Sequence, residues 1–574
     1  MSSPADPTAS YDARPWLASY PSDIPADFEF PEVPLTRLLD DAVVAFPGGV
    51  AITGAGATVT YKRLRELVDR FAGGLAALGV ASGDRVALVL PNCTQHVVAF
   101  FAVLRLGATV VQCNPMSTTT ELADQLADCA PKAVVCLDRT LDTVERVRAK
   151  IGLDHVVVTS LVDLAPTFDR ARLRLPLPSA RRQRARLVAD VPAGSDVESF
   201  RALLRRGAPA AQAAVDAAND VAVLQYTGGT TGTSKAAKLS HANLVANAYQ
   251  MRLWLPEATS GREVTLAVLP LFHVYGLTLC LLTTVLLAGR LVLLPRFDLD
   301  LVFDAIEEEQ PTLFPGVPPI YQALLDAPRV RRANLRSIRA CVSGAMKLPI
   351  DTQERFERVT GGRLVEGYGT TETSPATHCN PIEGRRKAGS VGLPLTGTLA
   401  RVVDPDEPTR AVPPGEPGEL AVKGPQVFRG YWSHDAGEQP LLADGWLLTG
   451  DIAVMDGDGF FTVVDRKKDL VIAGGFNIYP AEVESAIVDL DGVADCCVIG
   501  LPDRYRGETV KAFVVARPGV TLTEAEVLAH CATRLSAYKV PKLVEFRDEL
   551  PRTVIGKALR RMLVAEELAK QDSP

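Results

Sequence analysis

No apolar run in the 574-residue chain is long enough to cross a membrane. The most apolar stretch, Leu277 to Ala288, stops at Gly289–Arg290, well short of the ~20 residues a span requires. A core helix explains it better. The opening MSSPADPTASYDARPW lacks the basic and apolar regions of a signal peptide, and residues 1–30 read as a flexible lead-in. Neither charge sign dominates: 61 basic against 68 acidic residues leave a net charge of -7, so the chain as a whole has no electrostatic bias toward nucleic acid or an anionic membrane. The ten cysteines, including the neighbours Cys496 and Cys497, lack metal-ligand spacing, and several sit in apolar runs such as VVQCNP and DCCVIG. That usage fits reduced, buried thiols of a cytoplasmic protein and argues against a disulfide framework. What remains is a chain too long for one core, with a small molecule as the expected partner.

What is present centres on YTGGTTGTSKAAK, Tyr226 to Lys238, directly after the apolar run VAVLQ. The run reads as a buried strand that delivers a hydroxyl-rich loop to the edge of a site. Gly228, Gly229 and Gly232 let backbone N–H groups approach an anion. Thr227, Thr230, Thr231, Thr233 and Ser234 add hydroxyls, and Lys235 adds a point charge. Such a loop suits phosphate. It is not the Walker loop, because Ser234 precedes Lys235 and Ala236 follows it. If the position of Ala236 required positive φ, an alanine would strain it.

Before this loop, helical and strand patterns alternate from about Pro34 to Leu137, which implies a parallel, doubly wound sheet. Residues 161–220 are rich in Arg, Ala and Pro without a convincing period. They read as a surface excursion; an RNA-binding arm is the sharper reading, and no interleaved aromatics support it. After the loop, Ser240 caps a helix, and VTLAVLPLFHVYG gives a strand, a proline turn and His273. Two further strands end in glycine turns, one at Gly344–Ala345 and one through Glu366, Gly367, Tyr368, Gly369, Thr370, Thr371 and Glu372. Paired turns of this kind fit a ligand crevice at the carboxyl edge of an open sheet. Tyr368 between glycines can lie against a flat heterocycle, and the Glu372 carboxylate suits Mg²⁺.

From Gly389 to Asp465 the composition turns to β structure, read as a small β-barrel or distorted sheet, in which Asp451 has the chemistry to accept from a ribose diol. The charged pentad Asp465–Asp469 reads as a solvated connection and hinge. Beyond it lies a compact α+β module.

LQYTGGTTG, LPLFH, YGTTE, GWLLTGDIA, VDRKKDLVIAGGFNIYPAEVE and YKVPKLVEFRDELP followed by GKALRR, in this order, make the chain resemble the adenylate-forming acyl-CoA synthetases. Within that superfamily it looks most like bacterial long-chain fatty-acid–CoA ligases. The resemblance implies an α/β fold: a large domain, 31–466, of two doubly wound sheet subdomains with a small β-barrel, a hinge at 467–469, and a small mobile α+β domain, 470–574. It implies that Thr227 to Lys235 hold the ATP phosphates, and that Glu372 and Thr227 bind Mg²⁺. Gly344, Ala345 and Gly367 would frame the adenine against Tyr368, while Asp451 and Arg466 hold the ribose. His273 would line the acyl site, Lys468 would be the hinge, Gly474 and Gly475 would border the CoA tunnel, and Lys557 would bridge the carboxylate and α-phosphate. The implied substrates are a fatty acid, ATP and CoA; peripheral membrane contact stays open. Rival readings are medium-chain or aryl acid ligases, an acyl-AMP ligase loading a carrier protein, a phosphotransferase, and a non-catalytic lipid-binding module.

Overall fold

The computed structural model describes residues 7–54, 57–173, 175, 177–192, 194–227, 235–433, 439–473, 476–503, 507–553 and 558–571. Its first sheet runs in the order Glu198–Ser199, His155–Thr159, Ala133–Leu137, Arg85–Val89, Thr109–Cys113, Val221–Thr227 and Lys235–Ser240. The first six strands are parallel and the last is antiparallel. Valine-rich runs such as VAVLQ and ATVVQC have no polar alternation because helices cover both faces. Helix Thr94–Arg105 packs on strands Arg85–Val89 and Thr109–Cys113, and against it packs the amphipathic helix Tyr61–Ala76. Its Phe71 stacks on Phe200, with ring centroids 4.1 Å apart, at the start of helix Phe200–Arg206.

The second sheet joins two four-stranded arrays. Val264–Ala267 and Ala340–Ser343 meet through bridges at Leu313 and Gly316, so the surface continues from the hairpin Val50–Gly54 and Ala57–Thr60 across to Arg363–Gly369 and Ala376–Cys379. Asn92 ties the two sheets together. Its amide donates to the carbonyls of Ala267 (3.0 Å) and Leu269 (2.9 Å) and accepts from Leu271 N–H (2.8 Å).

Where a small β-barrel or a distorted sheet was the expectation, the strands Leu399–Val403, Gly418–Lys423, Leu447–Met455 and Phe461–Arg466 form the sheet, four-stranded and antiparallel, and no pairing between its outer strands closes it among the described residues. The module after the pentad holds a five-stranded sheet with helices Pro480–Val488, Glu524–Arg534 and Arg560–Gln571. Thr523 and Glu526 form the expected capping box.

One expectation changes. The lead-in is packed from Pro7 onward: Trp16 is buried edge-on to Phe461, and Gly459 is glycine because any side chain there would collide with Trp16. The apolar stretch from Leu277 is the expected buried helix, wound as a π-helix over Leu277–Leu282 before the α-turn Thr283–Leu286. All ten thiols are free and buried. No helix among the described residues is long and apolar enough to cross a membrane.

Candidate functional site

Hydrogen bonds join the carboxyl ends of the two sheets. Thr227 and Lys235 are paired at the end of their hairpin, where the Thr227 hydroxyl donates to the Lys235 carbonyl at 3.2 Å. Ala236, the next residue, lies in a buried strand without positive φ, so the anticipated strain does not arise. Gly228, Gly229, Thr230, Thr231, Gly232, Thr233 and Ser234 lie outside the described residues, as do Gly474, Gly475 and Lys557.

A segment that sequence reasoning passed over joins this hairpin to Glu372. Residues 429–432 run antiparallel beside Lys235–Ser240: Lys238 N–H donates to Gly430 O (3.0 Å), Arg429 N–H to Lys238 O (3.0 Å) and Trp432 N–H to Ala236 O (2.8 Å). Just before it, Phe428 N–H donates to the Glu372 carbonyl at 2.8 Å. Tyr431 then donates its phenol to Glu372 Oε1 at 2.6 Å, while Lys235 Nζ sits 5.4 Å from the Tyr431 ring centre. Burial, then the Glu372 charge, pushes the Tyr431 phenol above its usual range and keeps it a donor. The only sequence signal was the aromatic pair in RGYW.

Tyr368, Asp451 and Arg466 form the second cluster. Asp451 and Arg466 are opposite one another in register on neighbouring strands, with Arg466 Nε 3.2 Å from Asp451 Oδ1. The Tyr368 phenol donates to the other carboxylate oxygen at 2.6 Å. Asp451 is therefore a strand residue, buried and fixed at both oxygens, and not part of a hairpin turn. The glycines beside Tyr368 have steric causes. A Cβ on Gly369 would lie 1.8 Å from the Pro375 carbonyl oxygen, and one on Gly367 would lie 2.9 Å from Val342. Gly344 packs in the same way against Tyr275, whose phenol donates to Val342 O at 2.8 Å. Ala345, exposed, holds φ +66°, the left-handed region an alanine adopts only under constraint from its surroundings. Thr370 caps the turn Thr371–Thr373, which carries Glu372.

His273 is half-buried at a helix start, its Nδ1 accepting from Tyr275 N–H at 3.2 Å. Burial lowers its pKa to about 4, so the ring is neutral at working pH. Gln225, on the strand feeding the loop, donates to Phe272 O at 3.1 Å and ties this corner to the hairpin.

Glu366 is buried, accepts from Leu348 N–H at 3.2 Å, and has its carboxyl pushed up to about 8 by burial. A group harder to ionise folded than unfolded makes the fold the more protonated state, so stability declines as pH rises from 4.5 toward 8. Glu366→Gln cannot ionise. It is expected to gain on the unmodified protein across that window, by on the order of 2 kcal/mol at the upper end, read as melting temperature against pH. Parallel curves would refute the assignment.

Charged residues of the pentad Asp465–Asp469 are paired where a solvated connection was the expectation. Lys467 Nζ contacts Glu419 Oε2 at 2.8 Å on the large domain, and Asp469 accepts from Arg560 at 2.8 Å in the small one. Lys468 is exposed between them. Asp465 accepts from Ala481 N–H at 2.7 Å, and burial raises its carboxyl to about 6.

Two open sheets, the strand pair ending at Thr227 and Lys235, a held carboxylate and a tyrosine–aspartate–arginine cluster define a nucleotide-binding α/β enzyme with a C-terminal α+β module. The AMP-binding enzyme family matches residues 39–432, and the AMP-binding enzyme C-terminal domain matches residues 482–557. The chain belongs to the AMP-binding enzyme family. It is 41% identical over 556 residues, 96% of this chain and 98% of the other, to a long-chain-fatty-acid–CoA ligase of Bacillus subtilis. Among solved structures it resembles ATP-bound MatB from Rhodopseudomonas palustris, with TM-score 0.80, 32% identity, and 93% of this chain and 98% of that one covered. It also resembles the anthranilate CoA ligase AuaEII in complex with anthranoyl-AMP, with TM-score 0.80, 26% identity, and 96% and 99% coverage.

Proposed function

We propose that the chain activates a long-chain fatty acid with ATP and transfers the acyl group to CoA, releasing AMP and pyrophosphate. The observation that carries this reading is the segment ending in Tyr431, which fastens the phosphate hairpin to Glu372. In the first step a carboxylate oxygen attacks the α-phosphorus; the new P–O bond forms as the bond to the β-phosphate oxygen breaks, and pyrophosphate leaves. In the second the CoA sulfur attacks the acyl carbon, the C–O bond to AMP breaks, and the thiol proton passes to solvent.

Step one brings two anions together, so neutralising charge is the main task. Lys235, the loop around it and Lys557 supply that charge. Tyr368 is assigned to the adenine with Gly344, Ala345 and Gly367, Asp451 and Arg466 to the ribose, and neutral His273 to the acyl carboxylate. The donor set fits Mg²⁺. Among the described residues no cluster of three or more His, Cys, Asp or Glu could cage a metal, and one carboxylate completed by nucleotide phosphates is how Mg²⁺ is commonly held. Bound at Glu372 and Thr227, the ion supplies Lewis-acid charge to the phosphates. Residues 31–466 and 470–574 act as two bodies hinged at Lys468, and the enzyme works in the cytoplasm with peripheral contact to membranes.

Tyr431→Phe keeps the ring beside Lys235 and removes the phenol hydrogen bond that aims Glu372. The expected result is an increase of about 10-fold or more in the Mg²⁺ concentration needed for half-maximal pyrophosphate release, with the melting temperature little changed. An unaltered Mg²⁺ titration would remove Tyr431 from this role.

An aromatic acid is the second reading, favoured by the likeness to AuaEII. A panel of short-chain to long-chain and aromatic acids, scored by AMP release with and without CoA, separates the two. ADP in place of AMP would mark a phosphotransferase.

A further inference from the structure

The excursion between strands His155–Thr159 and Glu198–Ser199 is strongly cationic within an acidic chain. Residues 167–190 carry seven arginines against two aspartates, an excess of five positive charges where the whole chain nets -7. Here the structure shows what the aperiodic sequence hid: two short helices, Thr167–Arg172 and Pro178–Leu187. They are fixed to the body from beneath. Leu173 and Ala180 are buried, Ala189 N–H donates to Asp138 Oδ2 at 2.9 Å, and Arg139 donates to the Ala185 carbonyl.

Among its described residues, apolar and cationic side chains are exposed together. Phe168, Leu177 and Leu175 are 76%, 53% and 45% exposed, and Arg172, Arg181, Arg182 and Arg184 are exposed around them. Among the described residues, Asp190 stands 3.7 Å from Arg184 with both side chains open to water, a pairing that neutralises little. Arginines alone would suit any polyanion. Exposed leucines and a phenylalanine among them have nothing to bury against phosphodiester, whereas the interface of an anionic bilayer accepts both.

The location agrees. Strand His155–Thr159 is parallel to Val221–Thr227 and four places from it in the sheet, so the excursion leaves the same carboxyl edge roughly 19 Å from the phosphate hairpin. We propose that this arginine-rich excursion docks the enzyme on an anionic lipid bilayer, the phase in which a long-chain acid resides. The proposal rests on the fatty-acid reading above.

Flotation of the full chain with vesicles of phosphatidylcholine and phosphatidylglycerol, and with phosphatidylcholine alone, tests it. The protein is expected to float with the mixed vesicles and to be released by salt. R181E/R182E/R184E should lower that partition by about 100-fold, at about one charge's worth of attraction per arginine. F168S/L177S should lower it by at least about 10-fold. Both variants should release AMP from a water-soluble medium-chain acid, without vesicles, at the unmodified rate. Equal flotation of the charge-reversed protein, equal affinity for pure phosphatidylcholine, or displacement from vesicles by a single-stranded RNA that binds more tightly would each overturn the docking surface. Absence of AMP release with every acid would overturn the ligase reading instead, and the vesicle partition would still decide the surface.

Discussion

Glu372→Gln is expected to reduce pyrophosphate release by about 10³-fold while leaving the protein as stable as before. The substitution is nearly isosteric. The glutamine carbonyl still accepts from Tyr431, whose phenol stands 2.6 Å from the carboxylate oxygen, and the backbone bond from Phe428 N–H to residue 372 is untouched. What disappears is one negative charge at the point where the hairpin, the 429–432 segment and the turn Thr371–Thr373 converge. If Glu372 holds Mg²⁺ as proposed, loss of the carboxylate would weaken ion and transition state together, and extra Mg²⁺ would recover only part of the rate. The measurement is pyrophosphate release across a Mg²⁺ titration, beside a thermal melt. Activity within about 10-fold of the unmodified enzyme would put the metal elsewhere.

The parts of this site legible in the sequence are those made by contiguous residues. Runs such as VAVLQYTGG and RLVEGYGTTE show a strand, its end and the groups delivered there, because the period of a strand and the chemistry of a turn are local properties. The Tyr368–Asp451 hydrogen bond joins residues 83 apart, and nothing local announces it. Resemblance supplied the partners, and the structure supplied the register that sets Asp451 opposite Arg466. Tyr431 was missed for the same reason: RGYW has no period, and its meaning appears only once it lies beside Lys235–Ser240. The pentad misled in the other direction. Five consecutive charges normally indicate solvent, yet Asp465 caps a helix of the small domain, and Lys467 and Asp469 each meet an opposite charge on a different domain. Trp16, isolated in a Pro- and Ser-rich lead-in, gave no pattern although it fills a buried slot.

That division of the pentad leads to the second large effect, a separation of the two half-reactions. Lys467 is held by Glu419 of the large domain and Asp469 by Arg560 of the small one, so Lys468 is the residue whose dihedrals stand between two anchored neighbours. The Asp465 bond to Ala481 N–H spans this pivot and has to be surrendered if the small domain turns. Proline at 468 fixes φ near -65° and restricts the residue before it, which removes the freedom a turn needs. Lys468→Pro is therefore expected to keep acyl-AMP formation within a few-fold and to slow thioester formation from supplied acyl-AMP by about 10²-fold or more. Lys557→Ala should do the reverse, slowing adenylation by about 10²- to 10³-fold through loss of one charge at the meeting of two anions, while thiol transfer to supplied acyl-AMP continues. The two half-reactions are read separately, as pyrophosphate release without CoA and as acyl-CoA formed from synthetic acyl-AMP. If both variants lose both half-reactions to the same degree, one static arrangement serves both steps and the pivot at Lys468 has no part in the cycle.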